Sequence, residues 1–377
     1  MVRTLSPALL AAQQVTSRTS AVRVLINGVD YSSRVLFIEH HEEPYRDYAS
    51  ILLQNNDRGL DKVSTLANNL LGYRFRIAYG YFTGRIVAEP DGDGSGNEYV
   101  ETADLWVKAQ KMISSEGQLE CELYCEGQWM YLREQLLTVQ ADQVVIANPT
   151  NKEDEGFLGD TFNGTKTVYQ LIQSVIVNAM GWTLNAFPGA QDYIINSFYP
   201  VYTLRPMASA AAVLADDEMS LIKMTKCYLR AKANRIWEIV YPQSSDPVDR
   251  TFYSDQAPYF YEFAETINLI TPNRVIVIAN DPNDKYRTLG AWPQPIMIGD
   301  TGAYNATHPG QPDGGHYDEV LEAELAPTIT IQEDADNRAE ARLVRKKSES
   351  RAGYLITSHD CSIELYDKVE VEDQRGH

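Results

Sequence analysis

The sequence predicts an α+β fold that is mainly β, and three observations carry that reading. Many short segments alternate apolar and polar residues at the strand period. Turn-forming clusters such as Asn27-Gly28, Asn55–Gly59 and Asp91–Asn97 punctuate them. Only one stretch, ending at Gly181-Trp182, is strongly amphipathic at the helical period. There Val168, Leu171, Ile172, Val175, Ile176 and Ala179 follow the i, i+3, i+4, i+7, i+8, i+11 rule and form one apolar stripe. Thr165 or Thr167 can cap its start, and Gly181 is placed to end it.

Taken in order, residues 1–20 read as an N-terminal arm with little periodicity. Val22, Val24 and Ile26 then alternate with Arg23 and Leu25 and run into the Asn27-Gly28 turn. Val35–Glu39 and Ala49–Leu53 are the next expected strands. Tyr73, Phe75, Ile77, Tyr79 and Tyr81 share one face of a strand whose other face carries Arg74 and Arg76. Asp104–Ile113 and Gln118–Cys125 continue the β pattern. Residues 148–164 are polar and Gly-rich, which suggests a domain boundary.

After the long helix, Met219–Arg230 is expected as a second helix and Arg235–Tyr241 as extended chain. Val275–Ala279 reads as a buried strand, and residues 280–318 as a long surface loop. Thr328–Gln332 reads as a strand, followed by a helix from an Asn337/Glu340 capping box to about Ser350. Ile363, Leu365, Val369 and Val371 alternate with Glu364, Lys368, Glu370 and Glu372 as a terminal strand. The ending Gln374-Arg-Gly-His377 has neither turn nor cap, so an extension past His377 stays open.

The 377 residues are 44% hydrophobic and 23% charged, which is globular composition with material for two or three domains. A net charge of −19 argues against a nucleic-acid groove or an anionic membrane surface, both of which need clustered Lys and Arg. No apolar run approaches the ~18 residues that span a bilayer, and the N-terminus lacks the apolar length of a signal peptide. Cys121 and Cys125 would share a strand face yet lie too far apart to bridge, while Cys227 and Cys361 stand alone. All four read as reduced thiols made in a cytoplasm.

Candidate chemistry fails at the deciding residue in each case. Gly159–Thr167 approaches a phosphate-binding loop, but Thr165 stands where Lys should follow the second Gly, so a plain helix start is expected. Asp91, Asp93 and Ser95 match the opening of a calcium loop, yet its twelfth position is Thr102 and Glu101 is one residue early. A solvated hairpin loop is the preferred reading, with a bound cation at Asp91–Asn97 left open. His40-His41 face opposite sides of a strand, and His308 and His316 have no cysteine partners. No Gly-x-Ser-x-Gly elbow surrounds Ser95. Acidic pairs such as Asp216-Asp217 and Glu42-Glu43 are expected by chance among 52 acidic residues. Tyr253, Tyr259, Phe260, Tyr261 and Phe263 form an aromatic cluster suited to core or subunit packing, or to stacking on sugars. No catalytic, cofactor-binding or metal residue is assigned, and no cofactor is expected.

The order of elements carries a resemblance. The arm leading into Val24-Leu-Ile-Asn-Gly-Val-Asp-Tyr-Ser32, a strand, and Ala49-Ser-Ile-Leu-Leu-Gln-Asn-Asn-Asp57 resembles the opening of tailed-bacteriophage tail hub proteins, the baseplate hub and late-control D group. The helix from Thr167 to Gly181-Trp182, Ser220–Arg230 with its following strand, Pro272–Ile278 and the closing Glu364–Asp373 are similar to that family's later elements. The resemblance implies two β-barrel-like domains with an inserted α/β region. The expected division is an arm at 1–20, a first barrel at 21–147, an inserted domain at 148–250 and a second barrel at 251–377 with the 280–318 loop. Either barrel can be discontinuous in sequence.

It further implies a non-enzymatic homotrimer, a symmetry adaptor between a hexameric tail tube and the tip. Its lumen would pass tape measure protein and DNA. Implied partners are the tail tube or distal tail protein, the tape measure, and tip, spike or fibre proteins. Specific nucleic-acid binding and membrane insertion are not expected. Implied location is the virion tail, assembled in the host cytoplasm. Two alternatives remain: a carbohydrate-binding or glycan-degrading tail-tip protein, and a hexameric distal tail ring protein.

Overall fold

The computed structural model describes residues 3–61, 69–115, 117–137, 167–187, 209–216, 220–267, 274–279, 296–298, 321–326, 332–349 and 351–374. They divide into two units, each drawn from separated stretches of chain. The first combines Met1–Leu132, Arg230–Phe263 and Leu355–His377; the second combines Arg133–Leu229 and Ala264–Tyr354.

The first unit opens with a helix where an irregular arm was expected: α1, Pro7–Gln14. Ser6 caps it by accepting from the Leu9 amide, and Pro7 occupies a first-turn position where its missing N–H costs nothing. A Ser-Pro pair ahead of Ala-Leu-Leu-Ala-Ala was the signal available in the sequence. Leu9 is buried against Tyr81 and Cys361.

An eight-stranded sheet follows, built from β1 (Ser20–Ile26), β2 (Val29–Asp30), β3 (Val35–Glu43), β4 (Arg46–Gln54), β5 (Arg74–Phe82), β6 (Asn97–Glu101), β7 (Leu105–Ser115) and β8 (Gln118–Gly127). Its order is β2-β1-β5-β7-β8-β4-β3, with β6 also on β5. The two end strands, β2 and β3, are joined by Tyr31–Arg34 alone, a link that spans at most roughly 17 Å at ~3.4 Å per residue. The sheet is therefore drawn round on itself, and the result is barrel-like. Tyr31 N donates to Val24 O, and the Val24 amide donates to Ser32 Oγ, which pins that corner.

Inward positions alternate as the pleat requires. Val24 and Ile26, Ile51 and Leu53, Phe75 and Ile77, Leu105 and Val107, and Cys121, Leu123 and Cys125 make one buried core. Arg23, expected on the polar face of β1, is also buried; it donates to Pro90 O and Gly92 O of the loop that covers it. Asn27 and Gly28 both have positive φ, as the turn between β1 and β2 demands. Past β8 lies α2 (Gln128–Glu134), whose Trp129 meets Tyr45 and Trp237 edge-to-face at 5.0 and 4.7 Å.

The second unit holds the amphipathic helix. Thr167 caps α3 (Val168–Gln173) in a reciprocal capping box with Gln170. The helix then widens into a π segment, Ser174–Ala179, and ends at Gly181 with φ 67°. That widening explains why Val168, Leu171, Ile172, Val175 and Ile176 are buried while Ala179 is only half-buried: the looser winding rotates Ala179 off the stripe.

The short strand β9 is Thr183–Leu184. The helix expected over Met219–Arg230 shrinks to one turn at Ile222–Met224, and β10 starts at Tyr228. Thr225 ends the turn, donating its hydroxyl to Ile222 O and accepting from the Cys227 amide. β10 (Tyr228–Lys232) and β11 (Ile236–Val240) flank a turn in which Asn234 and Arg235 have positive φ. Next come β12 (Arg250–Tyr253) and β13 (Phe260–Ile267).

Val275–Ala279 lies within β14 (Arg274–Ala279), the centre of a mixed sheet with β15 (Ile296–Ile298) antiparallel and β16 (Leu321–Ala326) parallel. β15 falls inside the stretch expected to be loop; three apolar residues suffice for a short edge strand. The remainder of 280–318 lies outside the described residues, as does the 148–164 boundary. Helix α4 runs over Gln332–Glu349, so Asn337 is interior and not a cap; Gln332, expected in a strand, is its first residue. Arg345 of α4 donates to the Ile222, Thr225 and Cys227 carbonyls. β17 (Arg351–Thr357) pairs with β13.

The terminal strand is shorter than its alternation suggests: β18 is Val369–Glu372, parallel to β12. Before it, Asp367 accepts from the Glu364 amide and Tyr366 has φ 70°, so residues 364–367 turn. The α+β, mainly β class read from the sequence is the class observed. Gly80 sits where β5 meets β6 so closely that a Cβ would overlap the Glu98 carbonyl. Gly80→Ala is expected to cost about 1–3 kcal/mol in urea unfolding, through displaced backbone with no polar group lost.

Candidate functional site

The residues singled out in the sequence are mostly engaged in holding structure. Asp93 accepts from the Ser95 amide (2.8 Å), Ser95 Oγ (2.7 Å), Asn97 Nδ2 (2.7 Å) and the Tyr99 hydroxyl (3.0 Å). Against a burial effect that raises its pKa, the Asn97 and Ser95 donors hold the carboxyl well below the usual range. Both oxygens are thus spent on closing the hairpin loop. Glu101 pairs with Arg76 at 3.0 Å, and Thr102 donates to Ile77 O. Neither reaches that loop. Among the described residues no group of three or more His, Cys, Asp or Glu is arranged to hold a metal ion.

Of the near P-loop Gly159–Thr167 only Thr167 is described, and it caps α3. His308, His316 and Asp217 lie outside the described residues. Asp216 pairs with Arg133 at 2.6 Å. His40 and His41 face opposite sides of β3, stacking on Tyr79 and Tyr48 respectively. All four cysteines are free and buried. Burial pushes the Cys227 thiol up to about 11 and the Cys361 thiol to about 12, so neither is a nucleophile near neutrality.

The feature that sequence reasoning missed is a buried charge network in the first unit. Arg230, 2% exposed, binds Glu238 at 2.7 Å and Asp367 at 2.9 Å and lies 3.6 Å from Glu364. Lys232 reaches the same Glu364 at 3.0 Å. Arg3 bridges Glu364 at 3.2 Å and Glu42 at 2.9 Å. Glu364 was read as part of a strand's polar face and Asp367 was given no role; no local pattern marks them as partners of residues 3 and 230.

A second buried acid, Asp47, lies so close over Gly127 that a Cβ there would overlap its carboxylate. Burial, aided by Glu42, pushes its pKa up to about 7, with the Gln128 and Trp129 amides opposing. The aromatic cluster splits. Phe260 is buried, whereas Tyr261 is 67% exposed and Phe263 42%, with Tyr259 and Ile356 of the same unit also exposed. Such a run of exposed apolar groups is typical of a contact surface.

What these features define is a mainly β protein with a barrel-like sheet in one unit and mixed helices and strands in the other. No family model and no curated protein sequence matches the chain. Its fold does match solved structures. One is a tail protein from Neisseria meningitidis MC58, at 10% identity and TM-score 0.55, covering 95% of this chain and 87% of that one. Another is the 43 kDa tail protein of prophage MuSo2 from Shewanella oneidensis, at 11% identity and TM-score 0.56, covering 95% and 90%. The chain therefore has the fold of these tail proteins. No described helix is long and apolar enough to cross a membrane.

Arg230→Met should cost about 3–5 kcal/mol in chemical denaturation, because it removes the buried charge that pairs directly with Asp367 and Glu238. Asp47 has its folded pKa raised, so its stabilising contribution is complete below about pH 4 and lost as pH rises through about 7. Asp47→Asn is expected to remove a fall on the order of 2–4 kcal/mol between those limits, read from urea midpoints across pH.

Proposed function

We propose that the chain is a structural hub of a phage tail tip or baseplate, a homotrimeric symmetry adaptor between a hexameric tail tube and the tip. The observation that carries this reading is a fold shared over 95% of the chain with two tail proteins. In this reading the barrel walls join copies and neighbours, and a lumen passes tape measure protein and DNA. Its partners are the tail tube or distal tail protein, the tape measure, and tip, spike or fibre proteins. The protein then belongs to the virion tail, assembles in the host cytoplasm and catalyses nothing.

Two physical features support it. The net charge of −19 suits a conduit that must not bind DNA, since like charge keeps the polymer from sticking. The exposed Tyr259, Tyr261, Phe263 and Ile356 offer about 300–450 Å² of apolar area, taking ~150–250 Å² for each aromatic side chain. That is roughly half of what one partner of a stable interface contributes.

Mass photometry at micromolar protein is expected to give three times the 42.4 kDa chain mass. Tyr261→Ser with Phe263→Ser should weaken association at least tenfold while leaving the circular dichroism spectrum unchanged. A monomer throughout sinks the reading, and a hexamer transfers it to a distal tail ring. The exposed Tyr261 and Phe263 also favour a second reading, sugar stacking at a tail tip. Binding on a glycan array that is lost with Tyr261→Ala would support that reading instead.

A further inference from the structure

Tyr79 of β5 is flanked by two imidazoles: His40 of β3, with ring centroids 5.9 Å apart, and His359 of the C-terminal segment, 4.4 Å away. The Tyr79 hydroxyl lies 3.3 Å from His40 Nδ1, and Cys361 Sγ lies 3.7 Å from His359 Nδ1. The same segment holds the N-terminal strap, Arg3–Gln14. The Arg3 amide donates to Ser362 O, Gln13 Nε2 donates to Asp360 Oδ1 at 3.0 Å, and the Cys361 amide donates to Gln13 Oε1 at 3.2 Å. Leu9 packs on Tyr81 and Cys361, and Ser6 donates to Glu98. The Arg3 guanidinium, bound to Glu42 and Glu364, already places one fixed positive charge beside both imidazoles.

We propose that this cluster is a proton-operated latch: protonation of His40 and His359 releases the Arg3–Gln14 strap, with α1, from the barrel. The inference rests on these contacts alone and is independent of the tail-hub reading.

The charge count around the two rings makes the argument. From β3 itself come Glu42 and His41; from the strap comes Arg3; from the C-terminal segment come Asp360, Cys361 and the opposite imidazole. Glu364 is shared with Arg230 and Lys232, and Asp360 is bound by Arg250 at 2.7 Å. Arg3 is balanced by Glu42 and Glu364, and Asp360 acts on His359, but Glu364 and Asp360 also serve cations outside the cluster. Each added proton therefore repels Arg3 and the other ring with little spare negative charge to offset it.

Burial is the larger effect holding both imidazoles below their ordinary value. For His40, Arg3, His359 and His41 add to it while Glu42 opposes. For His359, Arg3 adds to it while Asp360 and Glu42 oppose. A lowered folded value means the docked strap is fully stabilised above about pH 6.5 and loses that stability as pH falls through the lower folded values.

Hydrogen exchange of the full chain, normalised to intrinsic rates at each pH from 7.5 to 5.0, tests this. Peptides covering residues 3–14 are expected to lose at least tenfold in protection on acidification, while β8 keeps its own. His40→Gln with His359→Gln should keep the strap protected at pH 5. Should the double variant fail to fold, His359→Asn is expected to move the loss to lower pH. An unchanged strap in the wild type at pH 5 overturns the proposal. So does the same loss in the neutral variants, or simultaneous loss of β8, which would mean acid unfolds the barrel as a whole.

Discussion

The buried charge network around Arg230 and Glu364 is the constraint on which the first unit depends. Its members come from residues 3, 42, 230–238 and 364–367, segments that nothing local holds together. Desolvating one such group costs several kcal/mol, and only near-complete mutual pairing offsets that cost. The network therefore forms only when every contributing segment has arrived. It acts as a registration device for a unit assembled from three separated stretches of chain. Apolar burial inside the barrel drives collapse, but it is non-directional and would tolerate other placements of both chain ends. Paired charges do not.

That arrangement suits the proposed structural role, in which surfaces and not reactive groups would do the work. The acids flagged by their position in the sequence, Asp93, Glu101 and Asp216, are each taken up by local donors or by a nearby arginine. Asp47 and the two imidazoles beside Tyr79 are different. They are buried titratable groups whose charged forms the fold disfavours, so their expected effects on stability have opposite sign as pH falls below neutrality. The exposed side chains of β13 and β17 contrast with this interior. They lie on a two-stranded ribbon, an arrangement with little stability of its own until another surface covers it.

Legibility in the sequence followed the range of the interactions. β1, β4, β5, β7 and β8 were readable because a strand with one face on a core alternates by geometric necessity. Thr167 and Gly181 were readable as helix ends because capping and positive φ are satisfied within a few residues. The π segment after Gln173 was not, since sequence spacing reports a stripe and not the winding beneath it. α1 was not legible because eight residues carry little periodic content, and a Ser-Pro start alone does not distinguish a helix from a turn. Residues 363–368 misled in the opposite sense: an ideal alternation that turns instead, because Glu364 and Asp367 meet Arg230 and the Tyr366 backbone bends to allow it.

From the linear chain alone came the class, a mainly β protein with one capped amphipathic helix, and a strongly acidic balance. These depend on residue type and on neighbours within about one turn or one pleat, and a sequence states them directly. The tertiary structure decided the order of the strands in the sheet, which acids are buried, which aromatics face out, and how the Arg3 charge comes to act on His40 and His359. Those outcomes rest on contacts between residues hundreds of positions apart, where a charge's partner is selected by the packing of the whole unit.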